Sequence, residues 1–301
     1  YRHIYSRGRG GRLRRFLFWL GNSSIMNRQA KARQNIHHHY DIGNDFYRLW
    51  LDTAEMQYTC AYYPQPDMGL EDAQPAKLHH ICRKLQLKPG DTVVEAGCGW
   101  GGLARFMARH YGVTVKAYNI STEQVSYARQ RAAEEGLSGR VDYVLDDYRN
   151  ISGEFDVFVS VGMLEHVGAA NYRALGDLVK QVLKPRGLAL VHTIGRSHPR
   201  VADAWIRRHI FPGGHVPSLG EMMAIFEPNR FSVLDIENLR PHYARTCADW
   251  LQNFETVTDR VTERFDEAFT RMWRLYLAGA SAGFRSGTLQ LYQVLFAHGD
   301  S

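Results

Sequence analysis

Residues 91–102, Asp91-Thr-Val-Val-Glu-Ala-Gly-Cys-Gly-Trp-Gly-Gly102, constrain the fold more than any other stretch of the chain. The β-branched pair Val93-Val94 suits a strand covered on both faces, and such strands belong to parallel sheets. Gly97, Gly99 and Gly101 then allow a sharp turn and a close backbone approach to a ligand before Leu103 opens a helix. A strand, a glycine turn and a helix in this order form the ligand-binding corner of a doubly wound α/β sheet.

The turn alone does not name its ligand. A dinucleotide fingerprint places an acidic residue about twenty residues further on, at the end of the second strand. That strand, Val113-Thr-Val-Lys-Ala-Tyr118, ends instead in Asn119, and the acid is Glu95, inside the turn. The form E-x-G-x-G-x-G resembles S-adenosylmethionine sites more than NAD sites. Such a ligand carries no phosphate, so the glycines serve clearance rather than an anion cradle.

Beyond the turn the alternation of helix and strand continues. Helix 103–111, strand 113–118, helix 122–135 after a Ser121 cap, strands 141–145 and 155–161, helix 172–183 and strand 188–193 complete five parallel strands with the first. Two late strands, 231–239 and 290–297, bring the expected sheet to seven. Two inserts stand outside this pattern, about 195–230 and 241–287, the second with an expected helix over 248–270. Inserts after the carboxyl ends of strands lie over the ligand crevice and can enclose a substrate.

At 301 residues, 45% hydrophobic and 23% charged, the chain can bury a full core and is not of disordered composition. Cys60, Cys82, Cys98 and Cys247 are far apart with no C-x-x-C pair, which argues against a zinc site or a disulfide framework and fits a reducing cytoplasm. The net charge of +6 is uneven: Arg2, Arg7, Arg9, Arg12, Arg14 and Arg15 precede Phe16-Leu-Phe-Trp-Leu20. A basic cluster before an aromatic stretch suits an anionic membrane surface, with a nucleic-acid arm or a solvated linker as the alternatives. Because the sequence begins at Tyr1, residues 1–34 are expected to be a basic linker from a preceding domain, with residues 35–301 as the enzyme domain.

Asn35-Ile-His-His-His-Tyr-Asp-Ile-Gly-Asn-Asp-Phe-Tyr-Arg-Leu-Trp50 has polar residues at spacings that do not build a core face, so a lid over the cofactor is expected there. Three consecutive histidines cannot all face one ion from a helix, and no H-x-x-x-H pair accompanies them, so no metal is expected.

Six ordered motifs carry a family resemblance: His39-Tyr-Asp-Ile-Gly-Asn-Asp45, Gln57-Tyr-Thr-Cys-Ala-Tyr62, Glu95-Ala-Gly-Cys-Gly-Trp-Gly-Gly-Leu103, Ser160-Val-Gly-Met-Leu-Glu-His-Val167, Val191-His-Thr-Ile194 and His242-Tyr243. Together they resemble the cyclopropane fatty-acyl-phospholipid synthases, including the mycolic acid cyclopropane synthases, over nearly the whole chain from about residue 35. The resemblance implies a Rossmann-like class I methyltransferase sheet whose helical inserts cover an acyl site. It implies methyl transfer from S-adenosylmethionine to a cis double bond of a phospholipid acyl chain, followed by ring closure, in an enzyme on the cytoplasmic face of a membrane. It argues against nucleic acid as a partner and leaves a homodimer open.

In the resembled family the proposed base is a bound bicarbonate. Carried onto this sequence, its holders are the backbone of Cys60 and Ile194 and the side chains of Glu165, His192 and Tyr243. The cofactor positions are Tyr58 and Thr59 from the lid, Glu95, Gly97, Cys98 and Gly99 from the turn, Asn119 and Gln124 after the second strand, and Tyr148 beside the adenine. Read without the resemblance, Glu165 could cap a loop, His192 could be a satisfied core histidine, and Tyr243 could merely pack its ring under the helical insert, although in Pro-His-Tyr before a helix it is expected to be a loop residue with its hydroxyl available. The sequence departs from the family at Ala280, where relatives often carry a cysteine. That leaves open a methyl- or methylene-branched product.

Overall fold

The computed structural model of the chain describes residues 42–200 and 203–299. The arginine cluster, Phe16–Leu20 and His37–His39 fall outside the described residues.

The chain enters through a one-turn helix α1 (Asn44–Tyr47) and then α2 (Leu70–Lys84). The alternating core follows: β1 (Thr92–Ala96), α3 (Gly102–Tyr111), β2 (Thr114–Asn119), α4 (Thr122–Glu134), β3 (Val141–Leu145) and β4 (Phe155–Val161). A short α5 (Leu164–Val167), α6 (Tyr172–Val182) and the long β5 (Leu183–Gly195) complete the parallel part. The first insert contributes α7 (Ala204–His209) and α8 (Leu219–Phe226) before β6 (Phe231–Asn238). The second contributes α9 (Arg240–Glu255), α10 (Thr258–Arg264) and α11 (Glu267–Arg285) before β7 (Gln290–His298).

The seven strands form one sheet in the order β3-β2-β1-β4-β5-β7-β6, with β7 antiparallel to both neighbours. This is the doubly wound sheet expected from the sequence. The order reverses at β1 and β4, so the crevice beyond their carboxyl ends is the switch point where α/β sheets bind ligands. Both sheet faces are covered by apolar side chains, with Val93, Val115 and Leu190 on one and Val94, Phe158 and Val191 on the other. Ser121 caps α4 as expected, accepting from Gln124 N at 3.4 Å.

Two elements differ from the expectations. The helix expected over 248–270 is three helices, because Thr256 closes α9 by bonding its Oγ1 to Asn253 O at 2.7 Å. Asp266 then starts α11 afresh by accepting from Phe269 N at 2.6 Å, a new N-cap inside the apolar pattern. The segment expected to be a lid is described from residue 42, and this part builds a core face, contrary to the reading of its spacing. Phe46, Tyr47, Trp50 and Leu51 are buried in an aromatic cluster with Trp250, Phe254 and Trp273. The Phe46 and Trp273 rings meet edge-on at 4.9 Å, and Trp100 Nε1 donates to Asn44 Oδ1 at 2.7 Å. The spacing 46, 47, 50, 51 is a helical apolar stripe, hidden in the sequence by the polar residues around it.

Candidate active site

The first cavity opens where β1 gives way to the glycine turn. Gly97 has a φ of +82°, and a Cβ there would lie 2.9 Å from Met163 Cβ, so the site admits no side chain. Gly99 has a φ of +52°, but a Cβ there would meet nothing within 4 Å and would project into open space. The amides of Gly97 and Cys98 both donate to Tyr118 O, at 2.9 and 3.1 Å, tying the turn to the end of β2. Asn119 Nδ2 bridges Gly99 O at 3.0 Å and Gln124 Oε1 at 2.8 Å, fixing the residues that follow the second strand against the turn.

These walls enclose about 110 Å³. Glu95, Gly97, Cys98, Gly99, Asn119 and Gln124 line them, with Tyr58 and Thr59 closing the far side. Tyr148 lines an adjoining hollow of about 60 Å³ together with Asp147 and Arg149. The sequence-derived cofactor residues thus line two adjoining hollows that share Gly97, Asn119, Met163 and His166, with Tyr148 in the smaller one. Glu95 is only 2% exposed, and its Oε2 has no partner among the described residues. Burial pushes its pKa up to about 8, with the Lys77 ammonium as the nearest compensation. Lys77 is itself buried and pushed down to about 8; it donates to Gln57 Oε1 and to Thr59 Oγ1. Gln74 Nε2 adds a bond to Thr59 O at 3.0 Å, so α2 anchors the segment that closes the cleft.

A second, larger cavity of about 480 Å³ adjoins the first, and Tyr58, Thr59, Gly162 and His166 line both. Its walls come from the two inserts, with Trp205, Ile206 and Phe211 on one side and Tyr276, Ala280 and Phe284 on the other. Tyr58 donates from its hydroxyl to Tyr276 Oη at 2.8 Å across the junction. Arg196 and Arg207 are the basic residues in this mostly apolar wall. A narrow cleft of mixed polar and apolar lining thus opens onto a mostly apolar cavity, which gives room for two ligands of different character side by side.

Glu165, Ile194 and Tyr243 meet on the wall of the larger cavity. Glu165 lies in the first turn of α5, just past the end of β4, and its Oε1 accepts from Ile194 N at 2.6 Å. Its Oε2 is buried without a partner among the described residues, and burial raises its pKa to about 7. The Ile194 amide, expected to hold an anion directly, is therefore taken by the Glu165 carboxylate and orients it. Tyr243 is not a loop residue as expected: it sits in the first turn of α9, which Pro241 opens, and is 8% exposed. Its ring stacks on Phe284 at 4.4 Å, and burial holds its hydroxyl protonated.

His192 and Cys60 are buried and do not line that wall. His192 Nδ1 is 3.0 Å from Gln293 Nε2, its Nε2 has no partner among the described residues, and burial lowers its pKa to about 3. The Cys60 thiol is pushed far up by burial and directs its Sγ to Ala61 O at 3.1 Å, which makes it a poor nucleophile. Sequence reasoning passed over His166, which lines both cavities and the hollow beside Tyr148, and whose pKa burial lowers to about 4. Its place next to Glu165 was the available signal.

The family model for mycolic acid cyclopropane synthetase matches residues 27–294. The chain belongs to this family. It is 42% identical over 268 residues to a probable fatty acid methyltransferase of Pseudomonas putida, covering 86% of this chain and 68% of the relative. It is also 42% identical over 283 residues to the cyclopropane-fatty-acyl-phospholipid synthase of Escherichia coli K12, covering 93% and 72%. Among solved structures, the mycolic acid cyclopropane synthase CmaA1 complexed with SAH and CTAB superposes with a TM-score of 0.83 at 30% identity, covering 88% of this chain and 97% of that one. The protein is an S-adenosylmethionine-dependent methyltransferase with the class I fold of this family.

Proposed function

We propose that the protein transfers the methyl of S-adenosylmethionine to the cis double bond of a phospholipid acyl chain and closes a cyclopropane ring, with bicarbonate as the base. The observation that carries this reading is the junction of the two cavities at Tyr58, Thr59, Gly162 and His166. It sets a polar cofactor cleft against an apolar chamber, as transfer from a sulfonium to an alkene requires. When bound, S-adenosylmethionine supplies an electrophilic methyl group. An alkene is a weak nucleophile, so the protein's contribution is to hold it in line and exclude water. The aromatic wall around Phe211 and Tyr276 suits both tasks. Methyl attachment at one alkene carbon leaves positive charge on the other, and loss of a proton from the new methyl closes the three-membered ring.

The donor and acceptor set suits bicarbonate, which would supply a small base beside Glu165 and Tyr243. Glu165 Oε2 is an unpaired acceptor for its hydroxyl, and the Tyr243 hydroxyl on the same wall is a donor to its oxygens; His192 Nε2 is buried off that wall, and its place beside the anion rests on the resemblance to the family. Glu165 and His192 keep these roles only while buried, where an unmade hydrogen bond is costly. Arg196 and Arg207 in the cavity wall, with the exposed Leu275, suit a chain that enters from a lipid with a phosphate headgroup. The arginines near the N-terminus suit attachment to the cytoplasmic face of an anionic membrane.

Mass spectrometry of lipids from cells with and without the protein tests the reaction: acyl chains should gain one CH2 and lose reactivity toward alkene reagents. Methyl- or methylene-branched chains would instead make it a lipid C-methyltransferase that does not close the ring. Turnover in carbonate-free buffer, compared with bicarbonate added back, tests the base; equal rates would leave Glu165 as the base. Replacing Arg12, Arg14 and Arg15 with glutamate should weaken binding to anionic vesicles, with the difference fading at high salt.

A further inference from the structure

His192 and Gln293 face each other across the antiparallel pair of β5 and β7, in direct register. Gln293 is fully buried. The next residue in that row is Glu237 on β6, already engaged by His80 and Lys84, each at 2.6 Å. The contact between His192 and Gln293 joins Nδ1 to the amide nitrogen at 3.0 Å. In the orientation the structure gives the Gln293 amide, its nitrogen donates, so Nδ1 accepts and carries no proton, and Gln293 Oε1 is left without a partner among the described residues. In a neutral imidazole the single proton then sits on Nε2, the ring atom that is buried without a partner among the described residues. Burial keeps the ring neutral across the physiological range.

We propose that Gln293 is a positioning residue that locks His192 in the tautomer with its proton on Nε2, so that His192 serves the reaction centre as a hydrogen-bond donor and not as a base. The inference rests on the proposed place of His192 at the reaction centre. Within that reading it assigns the direction of one hydrogen bond: His192 donates to the bound anion and accepts nothing from it. It also gives a physical reason for a fully buried glutamine at a strand position that would otherwise take an apolar side chain.

The test is nitrogen NMR of protein labelled with 15N-histidine, with the His192 signals assigned by their loss in His192→Gln. In the unaltered protein the expected pattern is a protonated Nε2 and an unprotonated Nδ1 from pH 6 to 8. A protonated Nδ1 would overturn the proposal, and this arm needs only the assignment variant to fold, with Gln293 unaltered. In Gln293→Leu the Nδ1 signal should move toward the tautomer-averaged position. Its kcat should fall about tenfold while KM for S-adenosylmethionine and for lipid stays within about twofold, the scale of losing an outer hydrogen bond that orients a functional histidine. Unchanged kcat, or a kcat loss that only follows a lowered Tm, would equally overturn it. The two readings fail separately. A rate indifferent to bicarbonate alongside the Nε2–H tautomer removes the anion and leaves the role of Gln293 standing, whereas the Nδ1–H tautomer removes that role whatever bicarbonate does.

Discussion

Gly99 and Glu165 make opposite demands on a side chain, and both can be tested singly. Gly99 combines a left-handed φ of +52° with open space at its Cβ position, so the protein has room for a methyl there, which on the proposed cofactor placement would meet the cofactor. Gly99→Ala should cost about 1 kcal/mol of stability from the backbone conformation. Gly99→Val should cost more, because a branched Cβ fits that conformation poorly. Calorimetry should find S-adenosylhomocysteine binding weakened at least ~100-fold in the valine variant, about 2.7 kcal/mol, with the circular dichroism of a folded protein. Affinity within twofold of the unaltered protein would remove the turn from the cofactor site. Glu165 is needed for the opposite reason, as a carboxylate held by one amide with its second oxygen open. Glu165→Gln keeps the volume but turns an acceptor into a donor in a buried site, so kcat should fall by about 100-fold. Because its pKa is raised to about 7, the unaltered enzyme should lose activity as the pH falls through that value, and this acidic limb should vanish from the residual activity of the variant. Tyr243→Phe keeps the stack on Phe284 and loses one hydroxyl, so a smaller loss, confined to kcat, is expected.

At the scale of elements, the second insert shapes the large cavity through α11. Gly279 lies mid-helix, lines the cavity and has nothing within 4 Å of a built Cβ. Gly279→Leu should stabilise the helix, since glycine in a helix interior costs about 1 kcal/mol, while filling the chamber. The expected outcome is a Tm unchanged or raised by a few degrees, cofactor affinity unchanged, and turnover on long acyl chains reduced at least ~10-fold. Full turnover would show that the chain lies elsewhere. The same element marks the limit of what the sequence discloses. The parallel strands were legible because each is a short apolar run bounded by glycine or a cap, and the turn after β1 was legible because only glycine satisfies its geometry. The break at Asp266 was not, because one capping side chain inside a continuous apolar pattern changes no periodicity. Of the proposed cofactor residues, Glu95, Gly97, Cys98, Gly99, Asn119 and Tyr148 lie in a strand or within three residues of its end, where sequence fixes position, whereas Tyr58, Thr59 and Gln124 do not. His166, Tyr276 and Gln293 were missed because their roles depend on which elements meet, as Gln293 depends on the β5 and β7 register.

For the whole molecule, buried groups shifted in opposite directions predict the pH dependence of stability. In the cofactor-free protein, His166 is lowered to about 4, His192 to about 3 and Glu237 to about 2. Each binds its proton more readily when unfolded, so the stability each contributes is lost as the pH falls, from 6.5 for the histidines and 4.5 for Glu237 down to the folded values. Glu95 and Glu165 are raised to about 8 and 7 and behave inversely: their contribution is complete below 4.5 and is lost as the pH rises through the folded values. Between 4.5 and 6.5 the two histidines and the two carboxyls oppose each other with similar slopes, which leaves a plateau. Thermal melts should therefore show a flat Tm from about pH 4.5 to 6.5, a fall below it and a fall between about 6.5 and 8. The alkaline fall separates buried carboxyls from ordinary surface ones, which would be ionised well before that range. Glu165→Gln should shrink it without touching the acid limb, because glutamine has no proton to lose. A Tm that climbs steadily from pH 6 to 8 would mean that Glu95 and Glu165 ionise normally in the folded protein, with their unpaired oxygens solvated.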